Sequence, residues 1–212
     1  MQDQPIRYSV CTSADVDEMV ALLARVFAER EPPSVAVDLS PPEFASFIRL
    51  YCPKVVADAI SIVARAATSG EMVGALLADD MAADPPDGLD RLSPKFDPVF
   101  DILIQLDEEY REGRSFAPGE GLHLFFLGVD AAAVRQGVAR QLVAECLANG
   151  IRRGYRVAVT EATSKTSQHI FRELGFVERV RRSYRDHRFA GQSFFASIVD
   201  HGGPVLMDKP LE

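Results

Sequence analysis

The most chemically suggestive stretch of this 212-residue sequence is LGVDAAAVRQGVARQL, residues 127–142. A strongly apolar strand, HLFFLGV at residues 123–129, ends in Leu127, Gly128 and Val129. A short loop carrying Arg135, Gln136 and Gly137 follows, and a helix begins. The first amides of a helix have no internal partner and lie at the positive end of its dipole. Gly137 and the small Ala139 let an anion approach that backbone, and Arg135 and Arg140 add positive charge. The chemistry this favours is docking of a pyrophosphate. The same residues also read as a tight strand-to-helix turn whose glycine simply needed room.

Other reactive residue types form no recognisable constellation. Cys11, Cys52 and Cys146 are odd in number, with no ligand spacing, and read as reduced intracellular thiols rather than disulfides or a metal site. A formal charge of -8 argues against a nucleic-acid binder, whose affinity comes mainly from neutralising phosphates, and is compatible with a cationic substrate. His169 and His187 read as surface polarity, and Arg179, Arg181, Arg182, Arg185 and Arg188 as solvated strand and turn surface. The first ten residues have no basic start or apolar core of a signal peptide, and no apolar run approaches the ~20 residues that span a bilayer. The expectation is a cytoplasmic protein with no membrane partner.

The elements that must position this loop follow from periodicity. Residues 6–12 read as a strand, and a helix capped by Ser13 carries one apolar face from Val16 to Phe27. That helix should stop before Glu31-Pro32-Pro33, because the residue preceding proline avoids helical geometry. A second helix starts near Pro41-Pro42, and residues 59–67 and 72–78 form a hairpin across Ser69-Gly70. Residues 79–94 read as an acidic loop, 96–110 as a helix, 123–129 as a buried strand and 137–153 as an amphipathic helix. Then come a strand at 155–160, a helix at 164–174 closed by Gly175, and closing strands at 176–184 and 194–198. With 47% hydrophobic and 25% charged residues, this describes one layered α/β domain over residues 1–212.

Two motifs in this order resemble the GNAT N-acetyltransferase superfamily. Its phosphate loop has the form Gln/Arg-x-x-Gly-x-Gly/Ala after a Leu-x-Val strand; this chain supplies Leu127-Gly128-Val129 and Gly137-x-Ala139, with Val134 where Gln or Arg is usual. The second motif is the helix at 164–174 ending in Leu174-Gly175-Phe176. The resemblance implies a mixed, mostly antiparallel sheet with helices on both faces and a splay between the fourth and fifth strands that holds a pantetheine arm. It also implies acetyl-CoA as cosubstrate, no metal, and direct attack by an amine in a ternary complex.

Within the superfamily, Glu31-Pro32 resembles the Glu-Pro element that supplies the base of insect-type arylalkylamine N-acetyltransferases; a helix-terminal surface glutamate is the plainer reading. His123 resembles the first histidine of the His-x-His strand of vertebrate serotonin N-acetyltransferases, Phe125 replacing the second. Its alternative is a strand-entry histidine satisfied by backbone. Phe171 stands where many members carry the tyrosine that protonates the leaving thiolate, and Ser164 or Ser167 is the substitute the insect-type enzymes suggest. Ser164 and Phe171 are also expected against the cosubstrate. The function expected is N-acetylation of a small primary amine by a monomer or homodimer. A peptide, protein or aminoglycoside acceptor, or a non-catalytic acyl-CoA-binding module, is the alternative.

Overall fold

The apolar stripes find one sheet to pack on. The structure, a computed structural model, describes residues 5–212. Strands β1 (Ile6–Val10), β2 (Ile62–Ala66), β3 (Met72–Asp80), β4 (Gly121–Val129), β5 (Val157–Ala162), β6 (Val177–Arg181) and β7 (Val205–Pro210) form a seven-stranded sheet in the order β1-β2-β3-β4-β5-β7-β6. Only β4 and β5 run parallel, which requires the crossover helix α5 (Val138–Arg152). Around the sheet lie α1 (Val16–Arg30), α2 (Pro32–Ala36), α3 (Pro41–Asp58), α4 (Asp97–Arg111) and α6 (Lys165–Glu173).

The two faces of the sheet bury separate cores. Met19, Leu23, Phe44, Ile48 and Phe96 pack beneath α1, α3 and α4 on one side. Leu142, Val143 and Cys146 of α5 meet Leu76, Leu122 and Leu124 on the other. Burying each large aliphatic side chain contributes about 1.5–3 kcal/mol, so these faces fix which way every strand points. Gly128 marks a close approach of α1 to the sheet, since a Cβ there would lie 2.6 Å from Leu23 Cδ2. Gly128→Val is therefore expected to destabilise the fold by about 1–3 kcal/mol through overpacking, read as a lowered urea midpoint.

Several boundaries differ from the sequence reading. Thr12, not Ser13, opens the first helical turn, sharing a capping box with Asp15. Helix α3 begins with Ser40 and Glu43 as a second capping box and runs on to Asp58, so the strand expected from residue 59 starts at Ile62. Asp79 and Asp80 belong to β3, not to a loop. The expected strand at 194–198 is absent: residues 196–201 form 3₁₀ turns, and the closing strand is β7 at Val205–Pro210. Strand β6 stops at Arg181 instead of reaching Tyr184. Among the described residues, no helix is long and apolar enough to cross a membrane.

Candidate active site

Strands β4 and β5 pair only through Gly121–Val157, Leu122–Ala158 and His123–Val159. Beyond that point β4 keeps its ladder with β3, reaching Val129–Gly74, while β5 pairs with β7. The sheet therefore splits along its middle, leaving backbone hydrogen-bonding groups on the inner edges of both strands. A bulge sits where the split opens: Leu77 faces Phe126 and Ala78 faces Leu124, so Phe125 has no opposite residue. Bulges re-aim side chains, and this one switches Phe126 onto the α1/α3 face while Leu122 and Leu124 pack toward α5.

A cavity of about 550 Å³ lies over this split. Phe125 and Leu127 line it from β4, Glu161, Thr163 and Ser167 from the other side of the gap. Its walls are aromatic: Phe27 and Phe44 stack at 4.9 Å between centroids, Phe47 and Phe126 meet edge to face at 5.3 Å, and Tyr51 lies 4.8 Å from Phe125.

Glu31 reaches into this cavity because the chain turns sharply between α1 and α2. It is the N-cap of α2, with Pro32 and Pro33 opening the helix, and its carboxylate accepts the Ser34 N–H at 2.7 Å. The Thr163 hydroxyl also bonds it. Burial raises the Glu31 pKa above its ordinary value, and the hydrogen bonds from Thr163 and Ser34 offset only part of that rise.

His123 lines the same cavity between two carboxylates, with Nδ1 at 3.1 Å from Asp79 of β3 and Nε2 at 2.8 Å from Glu161 of β5. Burial alone would lower its pKa, but Glu161 and Asp79 outweigh burial and hold it well above 6.5. Both ring nitrogens face carboxylate oxygens, an arrangement that favours the charged imidazolium. Burial would lift the Glu161 pKa, and His123 instead draws it below the ordinary carboxylate value.

At the start of α5, Gly137 is the N-cap in the left-handed region, φ 77°, and a Cβ added to it would meet nothing within 4 Å. The first helical bond is donated by Gln141 to the Gly137 carbonyl, so the preceding amides point out of the helix end. Val138 is buried as its anchor, Ala139 is half-buried, and Arg135 is exposed with φ 72°. Gln136 bonds back to the Ala132 carbonyl, and Arg140 is paired with Glu173 of α6. Such a terminus fits a diphosphate: a positive helix end with open space beside Gly137.

The sequence of residues 111–189 matches the family model for an acetyltransferase (GNAT) domain. The match takes in β4, α5, β5, α6 and β6 and leaves the earlier part of the chain outside it. A search of curated proteins finds no match. Among solved structures, this chain resembles the C-terminal condensation domain of Ebony in complex with beta-alanyl-dopamine, at TM-score 0.88 and 14% identity over 98% of this chain and 99% of that one. It resembles arylalkylamine N-acetyltransferase 2 from Aedes aegypti at TM-score 0.81 and 20% identity, over 98% and 99% of the two chains. A Drosophila melanogaster polyamine N-acetyltransferase follows at TM-score 0.78 and 18% identity, over 98% and 100%. Identities this low establish a shared fold.

Glu31, His123, Ser167 and Phe171 all line this cavity, Phe171 buried edge to face against Phe176 at 5.0 Å. Ser164 and Ser167 form the capping box of α6, their hydroxyls 3.0 Å apart. The cofactor residues separate into two groups. Leu127, Gly128 and Val129 lie on the free half of β4, and residues 135–140 at the α5 terminus. The side of Gly128 that would carry a Cβ faces α1, and the Val129 carbonyl accepts a hydrogen bond from Arg30. Asp79, Thr163 and Ser34 were not singled out in the sequence, because their roles arise only when β3, β5 and α2 converge. His187 is not surface polarity: it is buried, its Nε2 bonded to Asp101 at 2.7 Å.

Proposed function

We propose that this acyltransferase uses acetyl-CoA to acylate the primary amine of a small molecule. The observation that carries the reading is the Glu31 carboxylate, set in an aromatic cavity at a gap in the sheet. Glu31 takes a proton from the arriving ammonium, a role suited to a carboxylate whose pKa has been raised toward neutrality. Thr163 and Ser34 hold it in place and keep its charged form accessible. Inner-edge N–H groups of β4 lie where a thioester carbonyl oxygen gathers negative charge, and backbone donors fixed in advance stabilise such charge. Ser167, a cavity-lining residue whose hydroxyl donates to the Ser164 carbonyl, turns that donor to the departing sulfur, since Phe171 has no proton to give. The α5 terminus holds the diphosphate, and the open edges of β4 and β5 hold the pantetheine arm as an added strand would be held. His123, already protonated, contributes charge and position instead of serving as the base.

The acidic lining from Glu31, Asp79, Asp107 and Glu161 favours a cationic acceptor. The three free, buried cysteines fit a reducing compartment such as the cytoplasm. A thiol-release assay with acetyl-CoA against panels of small amines, aminoglycosides and peptides tests the reading. Turnover is expected with small amines; turnover confined to peptides removes the small-molecule claim. Thr163→Val is expected to lower kcat about tenfold while leaving coenzyme A affinity unchanged, because it strips one hydrogen bond of about 1.5–3 kcal/mol from a charged group.

A further inference from the structure

Thr163, whose hydroxyl bonds the Glu31 carboxylate, belongs to neither β5 nor α6. Strand β5 ends at Ala162, and Ser164 is already the N-cap of the helix. Backbone groups at such a junction need partners from elsewhere. Two buried side chains supply them. Tyr184 is fully buried, and its phenol donates to the Thr163 carbonyl at 2.8 Å. Gln168 of α6 is buried as well, and its Nε2 donates to the Ala162 carbonyl at 3.1 Å and the Gly203 carbonyl at 2.9 Å. We propose that Tyr184 and Gln168 are positioning residues for acyl transfer, gripping successive carbonyls so that the Thr163 hydroxyl stays against the Glu31 carboxylate. The inference rests on the reading above in which Glu31 is the base, and adds the residues that hold that base in register.

The chain between β6 and β7 supplies one half of this grip and is built to hold still. Residues 182–204 leave and return through a narrow neck. There the Arg182 N–H donates to the Pro204 carbonyl at 3.1 Å, and the Tyr184 N–H to the Gly202 carbonyl at 3.0 Å. Gly203 has no room for a Cβ beside the Arg182 carbonyl, so the two limbs touch. Within the loop, Phe195 lies 5.3 Å from the Tyr184 ring and 5.3 Å from His187, which Asp101 ties to α4. The 3₁₀ turns at residues 196–201 pack on α2, the helix that Glu31 caps. One loop thus braces both partners of the Thr163–Glu31 bond. Burial, and then the charge of Glu31, push the Tyr184 pKa far up, so the phenol remains a donor while Glu31 titrates. Tyr184 and Gln168 stand behind the cavity wall and not in it, so their effect on the reaction passes through Thr163.

The test follows the Glu31 carboxyl directly, by NMR titration of the chain isotopically labelled at its glutamate carboxyls. Tyr51, Asp79, Asp107, Arg111, His123 and Glu161 share the cavity, so the Glu31 signal is assigned by its loss in Glu31→Gln. The Thr163 hydrogen bond favours the charged form, and weakening it lets burial raise the Glu31 pKa further. Tyr184→Phe keeps the ring and is expected to raise the midpoint by about 0.5–1 in pH, a threefold to tenfold change in acidity. Its kcat should fall by about threefold to tenfold, with coenzyme A affinity within about twofold. Gln168→Met is expected to move the midpoint the same way, and decides the matter should Tyr184→Phe misfold. In a Thr163→Val background, Tyr184→Phe should leave the midpoint in place and change kcat by less than about twofold, since the group it positions is gone. A midpoint that stays put in the folded variant overturns the proposal, as do equal effects with and without the Thr163 hydroxyl. A raised midpoint without turnover of any amine keeps the positioning role and sinks acyl transfer; an unmoved midpoint without turnover sinks both.

Discussion

Gly137→Asp is expected to weaken coenzyme A binding at least about a hundredfold, measured by calorimetry, while leaving the thermal midpoint nearly unchanged. Two facts separate binding from folding at this position. The space beyond Gly137 is open, with nothing within 4 Å of an added Cβ, so a side chain displaces no packing. Its φ of 77° is costly for most residues, at roughly 1–2 kcal/mol, but aspartate is among those that tolerate it. The added carboxylate, however, stands at the mouth of the α5 terminus, where a diphosphate would lie. Two unit charges at about 4 Å repel by about 4 kcal/mol at the effective dielectric of a protein surface, a value that solvent and salt reduce. Gly137→Asn carries the same shape without the charge and should retain most affinity. Unchanged affinity in Gly137→Asp would remove the α5 terminus as the phosphate site, and equal loss in both variants would point to shape alone.

Glu31→Gln is expected to lower kcat by about a hundredfold to ten-thousandfold, the range that a positioned base contributes. The amide oxygen of glutamine can still accept the Ser34 N–H, so the cap of α2 survives and coenzyme A affinity should stay within about twofold. The pH profile supplies the sharper readout. Burial raises the Glu31 pKa, so the wild-type rate should fall, as pH drops, through a value above 4.5. Below that value the carboxyl is already protonated and cannot take the proton of the ammonium. Glutamine has no such titration, so the acid limb should disappear from the residual activity. A limb that persists unaltered would assign the titration to another group, and unaltered kcat would exclude Glu31 as the base.

How much of this was legible in the sequence depends on whether a feature is local. Gly137 stands out because strand, turn and helix follow one another within residues 123–142, and the helix-end chemistry follows from that order alone. The Glu31-Pro32-Pro33 turn is equally local, and its prolines explain both the end of α1 and the start of α2. By contrast, Asp79 looks like part of an acidic loop because the next residues are rich in Asp and Pro, and only β4 alongside it makes it strand. The partners of His123 lie 44 and 38 residues away, on neighbouring strands, which no spacing rule anticipates. The apolar run at 194–198 mimics a strand but buries Phe195 and Ile198 in 3₁₀ turns. The true last strand carries Asp208, Lys209 and Pro210, a composition that argues against a strand until one sees Asp208 accept bonds from Tyr110 and Arg179.

The position of that last strand shapes how the molecule must assemble. Strand β6 has β7 as its one neighbour in the sheet, and β7 also supplies the second edge of β5. A nascent chain therefore cannot seat β6 when it is made; the earlier strand waits for the later one to wedge in beside β5. Contacts between β5 and β7 close a loop of about fifty residues, such as Val157 with Pro210, and non-local closure of this kind slows folding. Until it happens β5 presents an open edge, the sort that recruits strands from other molecules. Refolding yield should accordingly fall with protein concentration, with capture by neighbouring chains outrunning the arrival of residues 205–210.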